Sequence, residues 1–262
     1  MESDRDPSET PAAVARRPLW RTPTILAAGA TILALSLGIR HGFGLFLQPM
    51  SIANGWGREE FALAIAVQNL VWGAAQPFTG MLADRYGACR TILAGAAFYV
   101  VGLLAMAQAA TPFQLSLGAG VLIGLGLSGT SFAVVFGAVS RAVPPEKRSL
   151  AMGIASAIGS FGQFAMVPGT LSLISGLGWS AALVALAALA LIMIPLAGAF
   201  AAGSDASDPG GGPLQTTREA MAEALAHRGF WLLSFGFFVC GFQVVFIAVH
   251  LPAYLFDKQL SL

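Results

Sequence analysis

Seven apolar blocks, each about the length of a bilayer-crossing helix, alternate with short polar connectors along the chain. They run Ile25–Leu47, Phe61–Leu82, Ile92–Gln108, Phe113–Val139, Leu150–Ile174, Trp179–Phe200 and Gly229–Phe256. A hydrocarbon core roughly 30 Å thick takes about 20 helical residues to cross. Backbone N–H and C=O groups find no partners in lipid, so each block is expected to close its own hydrogen bonds as an α-helix. The pattern predicts an all-α polytopic membrane protein. Residues 1–23 read as a disordered polar tail and 24–200 as a six-helix transmembrane bundle. Residues 201–228 read as a linker with a short amphipathic helix, and 229–262 as a seventh transmembrane helix. Within the linker, Gly203–Pro213 has a flexible composition. Thr216, with Glu219 three residues on, has the form of a capping box that opens the short helix. The first block starts too late and runs too long for a cleavable signal peptide.

Composition agrees and narrows the function classes. Hydrophobic residues make up 56% and charged residues 10% of the 262, against about a quarter charged in soluble domains. A net charge of +1 and the absence of a basic, aromatic-rich stretch give no surface for nucleic acid. Cys89, in a predicted loop, and Cys240, in a predicted span, make neither a disulfide framework nor metal-ligand spacing. No metal and no cofactor are expected. Of the 14 Lys and Arg, eleven fall in the N-terminal tail and in the connectors after the second, fourth and sixth blocks. The positive-inside rule then puts the N-terminus in the cytoplasm, across a cell (inner) membrane, and seven crossings put the C-terminus outside.

Arg40 is the cation that lies within a block, about 16 residues into the first and roughly 24 Å along its rise. Ser36, Arg40, Gly44 and Gln48 follow at helical spacing on one stripe. A guanidinium in an apolar helix faces a cavity or a partner, or else snorkels to the interface. Facing a cavity, it would hold a carboxylate bidentately. All 13 Asp and Glu lie outside the blocks, so a pocket around Arg40 favours an anion over a cation. His41 and His250 are then candidate proton carriers as well as lining groups. Further polar residues within spans are candidates for the same pocket: Asn69, Trp72 and Gln76 on the second, Ser156, Ser160 and Gln163 on the fifth, Gln243, His250 and Tyr254 on the seventh. For most of these, interhelical hydrogen bonding is the plainer reading, at about 0.6 kcal/mol each. Gly38, Gly42, Gly44 and Gly118, Gly120, Gly124, Gly126 have the small-residue spacing of close helix packing.

Two stretches carry a family resemblance. Gly80-Met81-Leu82-Ala83-Asp84-Arg85-Tyr86-Gly87-Ala88-Cys89-Arg90 resembles the loop between helices two and three of the major facilitator superfamily, with Cys89 where that family usually has a basic residue. Lys147-Arg148-Ser149-Leu150-Ala151-Met152-Gly153 resembles the start of helix five in its monocarboxylate porters and their oxalate/formate-type relatives. The resemblance implies Gly80, Asp84, Arg85, Gly87 and Arg90 as a cytoplasmic gating motif, with Asp84 meeting a helix N-terminus or a nearby Arg. It implies a secondary active transporter, not an enzyme, moving a small organic anion of the monocarboxylate class across the lipid bilayer by alternating access. Arg141, Glu146, Lys147 and Arg148 read as topogenic charge. Where many monocarboxylate porters have an acid before the glycine near this point, this chain has Arg40-His41-Gly42. The family fold has twelve spans in two halves. The chain matches one half and the start of a second, and is expected to be a fragment or to work with a second chain or a missing C-terminal half. Two alternatives remain: a non-transporting regulatory remnant, and an intramembrane serine protease built on Gly126-Leu127-Ser128-Gly129 with His250 as base.

Overall fold

The computed structural model describes residues 21–203 and 217–258, and among these every regular element is helical. Seven helical segments are long and apolar enough to cross a membrane: Thr22–Asn54, Arg58–Tyr86, Ala88–Ala107, Pro112–Ala142, Pro145–Leu177, Trp179–Ala201 and Arg228–Leu251. Each expected block falls on one of them, with Gln108 past the end of the third span and residues 252–256 past the end of the seventh. The helices outrun the apolar blocks because their ends carry charged residues, such as Glu59, Glu60 and Arg85 on the second span. Cys89 belongs to the first turn of the third span, not to a loop. Its helix starts directly after Gly87, whose φ of 90° turns the chain back within one residue. Gly178, at φ 81°, does the same between the fifth and sixth spans.

The fourth span is the axis of the bundle, with 67% of its apolar window buried. It packs on the third and second spans, while the first packs most heavily on the fifth. Small residues bring the axes together. A Cβ added at Gly126 would come within 2.7 Å of Tyr99 N, and one at Gly95 within 2.9 Å of Gly129 Cα. Gly38 and Gly162 face each other across the first and fifth spans, where a Cβ on Gly162 would lie 2.5 Å from Ala34 Cα. The glycine runs at 38–44 and 118–126 therefore serve contact. Gly80 differs: a Cβ there would meet nothing within 4 Å among the described residues, so close approach is not its role in this bundle.

Two spans depart from a uniform α-helix. The first tightens to a 3-10 stretch over Gly42–Phe46, which shifts Gly44 and Gln48 off the Arg40 stripe. The fourth carries a π-helical stretch at Ser116–Leu122 and breaks at Ser131, an extended residue (φ −99°, ψ −168°) between helices Ile123–Thr130 and Phe132–Ala142. Buried side chains knit the spans at this level. Ser36 Oγ donates to Thr130 O at 3.1 Å, Tyr99 OH to Ser36 O at 2.7 Å, and Gln68 Nε2 to Ala119 O at 2.6 Å. Before the fourth span, Thr111 caps the helix that Pro112 opens, its Oγ1 accepting from Gln114 N.

The short helix Thr217–Ala226 forms where expected, and the seventh span runs within helix Arg228–Asp257. Most of the tail, nearly all of the Gly203–Pro213 linker and Thr216 of the capping box lie outside the described residues. The seventh span touches the bundle along the outer part of the first, at Gly42–Phe46 and Leu47–Asn54, and only 6% of its apolar window is buried.

Gly162→Val is expected to destabilise the protein by about 1–3 kcal/mol, because the backbone of the first span blocks the new side chain. Gly169→Ala, which meets open space, serves as control. Thermal melts in detergent check this; equal melting of both variants would refute the close-contact assignment.

Candidate functional site

The first, second, fourth, fifth and seventh spans line an open cavity of about 880 Å³. Arg40 and His41 reach it from the first span, Asn69, Trp72 and Gln76 from the second, Phe132 from the fourth, Gln163 from the fifth and His250 from the seventh. On the second span, positions 69, 72 and 76 share a face because three and four residues each make about one turn. The structure thus brings together seven of the eleven residues named as candidates for the pocket.

Gln243 and Tyr254 do not line the cavity. At about 100° per residue Gln243 falls on the far side of the helix from Phe238, Gly241 and Val245, and Tyr254 lies one turn beyond His250, where the lining ends. Tyr254 lies 56% exposed, with Lys258 Nζ 5.9 Å from its ring. Ser156 and Ser160 also lie off the cavity.

Arg40 is held on the cavity wall from two directions. Its Nη2 donates to Asn69 Oδ1 at 2.5 Å, and its Cζ sits 4.8 Å from the Trp72 ring centroid, a cation–π contact. Asn69 is itself fixed, donating to Ile65 O at 2.7 Å. Arg40 Nε is buried and has no hydrogen-bond partner among the described residues. The guanidinium therefore keeps donor capacity beyond its anchor. No Asp or Glu is among the lining residues, so its charge faces no carboxylate there.

Ser131 completes the second-span wall. Its Oγ accepts from Trp72 Nε1 at 3.1 Å and from Gln76 Nε2 at 3.5 Å. The residue is fully buried at the break in the fourth span. Its place in a Gly-Thr-Ser run, without a proline, hid it among packing residues in the sequence. The aromatic side of the cavity, including Phe238, Phe242 and Phe246 of the seventh span, was hidden likewise, since phenylalanines facing lipid and facing a cavity look alike in a sequence.

Away from the cavity, Asp84 pairs with Arg141 Nη1 at 3.0 Å, joining the end of the second span to the end of the fourth. Arg141 is thus an ion-pair partner and not topogenic charge alone. Arg85 lies over the ring of Tyr86 at 5.3 Å, Arg90 is exposed and Gly87 makes the turn. Ser128 is fully buried and donates to Leu125 O of its own helix at 2.7 Å. It does not line the cavity that His250 enters, so the serine–histidine dyad of the protease alternative is not assembled.

The Major Facilitator Superfamily model matches residues 19–262. The chain is 26% identical over 237 residues to human monocarboxylate transporter 11, covering 90% of this chain and 50% of that protein. It is 27% identical over 238 residues to the mouse protein of the same name, covering 90% and 53%. An uncharacterized MFS-type transporter of Bacillus subtilis, YcxA, is 24% identical over 233 residues, covering 85% and 55%. The chain spans about half the length of the curated relatives it matches.

The Asp84–Arg141 pair is solvent-exposed at 70% and 39% of the two side chains, so Asp84→Ala is expected to cost less than about 1 kcal/mol of stability. A detergent melt measures it, and a loss of several kcal/mol would show that the pair is structural.

Proposed function

This chain belongs to the Major Facilitator Superfamily, a family of multi-pass membrane transporters, and we propose that it binds an organic monocarboxylate at Arg40 for transport by alternating access. The observation behind this reading is a cavity between spans whose lining holds one arginine and no carboxylate. An always-charged, planar donor fork matches a carboxylate, and a site without acids repels no anion. Asn69 and Trp72 keep the guanidinium on the wall, so it does not have to reorganise to meet the ligand. The two relatives named monocarboxylate transporter 11 agree with this substrate class. Gln76, Gln163, His41 and His250 supply further polar contacts, and the histidines are the lining groups able to exchange a proton.

In the same reading, Asp84 and Arg141 latch the second span to the fourth on the cytoplasmic side and part during each cycle, with Gly87 as the turn between helices. The distribution of Lys and Arg supports an N-terminus in the cytoplasm, with the protein in the inner membrane.

Arg40→Ala is expected to abolish saturable uptake of labelled carboxylates by proteoliposomes, and Arg40→Lys to retain part of it. If both variants take up substrate like the parent, the anion contact is wrong. For topology, Ser8→Cys in a background of Cys89→Ser and Cys240→Ser should react with an impermeant maleimide in spheroplasts only after the membrane is opened. Labelling of sealed cells reverses the orientation.

A further inference from the structure

The cavity is asymmetric in its chemistry. At about 880 Å³ it stands near the top of the range, roughly 300–1,000 Å³, that encloses drug-sized ligands. Its charge lies on one side, at Arg40 with Trp72 beneath it. The seventh span supplies the other side, and that side is aromatic. Phe238, Phe242, Phe246 and His250 follow at intervals of four, so their rings climb one face of the helix. Phe242 and Phe246 stack with centroids 6.2 Å apart and planes at 17°, and Phe246 meets the His250 ring at 5.0 Å. The rings stay uncovered within the chain: Phe242 is 64% and Phe246 56% exposed.

A two- or three-carbon acid held at Arg40 would leave most of this wall in water. An anion with an extended apolar body covers it and gains from every ring it dries. One cation on the wall matches one negative charge. We infer that the cavity selects bulky amphipathic monocarboxylates, aryl or long-chain alkyl acids, with the carboxylate at Arg40 and the apolar body along the Phe238–Phe242–Phe246 ladder. This rests on the anion reading above and adds the size and polarity of the substrate's body. The ladder is then a specificity element, and shortening its side chains alters which acid is preferred without touching the charge.

The test is equilibrium binding to the purified 262-residue chain in detergent, comparing propionate, hexanoate, 3-phenylpropionate and the neutral 3-phenylpropanamide. Phenylpropionate is expected to bind at least about tenfold tighter than propionate, with hexanoate between. In Phe242→Ala/Phe246→Ala that ratio should fall to about threefold or less, and Phe246→Leu should keep part of it. Both rings are more than half exposed, so the variants leave the core intact. Equal affinity for propionate and phenylpropionate in the parent, or a ratio that survives the double variant, overturns the inference. Acids that need Arg40 but show no size preference sink this inference and leave the anion reading standing. An amide that binds as tightly as its acid overturns the anion reading and this inference with it, even where the size ratio is retained. Failure of every carboxylate to bind overturns both.

Discussion

A polar group with no partner in hydrocarbon costs several kcal/mol, and that penalty organises the whole molecule. It makes each apolar block a helix, since no other local structure pairs every backbone N–H and C=O within the segment. It decides where side-chain polarity is tolerated. Ser36, Tyr99 and Gln68 are fully buried, and each donates to a carbonyl of a neighbouring span, although Gln68 Oε1 has no partner among the described residues. Arg40 meets the same demand only in part. Asn69 and Trp72 hold it on the wall of a cavity with no carboxylate among its lining residues, and a charged group inside a span marks a functional site.

Close packing and the site are two results of one arrangement. Apolar helices gain nothing from leaving lipid for one another, so van der Waals contact must hold them, and contact requires small residues. The fourth span meets that need with Gly118, Gly120, Gly124, Gly126 and Gly129, which let the second and third spans close on it. The glycine-rich stretch then ends at Ser131, where the helix breaks and the hydroxyl becomes an acceptor for Trp72 and Gln76. Tight packing on one side of the break and an open cavity on the other meet within one span.

Local spacing made the spans legible, along with Arg40 and the Asn69, Trp72, Gln76 face. Hydrophobic run length fixes a crossing, a lone cation in such a run is conspicuous, and spacings of three and four set residues on one face. What escaped was long-range or depended on which side of a helix meets lipid. Arg141 finds Asp84 across 57 positions of chain, and no local pattern records that. Gln243 looked like a pocket residue because polarity drew notice, while the seventh span turned its phenylalanines inward instead. The 3-10 stretch at Gly42–Phe46 rephased the first span, so the stripe predicted through Gly44 and Gln48 lost its register after Arg40.

The one-residue turns at Gly87 and Gly178 have a mechanical consequence. Consecutive Cα atoms are about 3.8 Å apart, so a single-residue turn has almost no slack. The second and third spans, and the fifth and sixth, are therefore joined as levers on short pivots. Tilting one member drags the adjoining end of the other with it, and neither can slide a full helical turn past its neighbour. The first and fourth spans enter no such pair through these turns. Relative displacement of these four spans is accordingly channelled into the motion of hairpins as wholes.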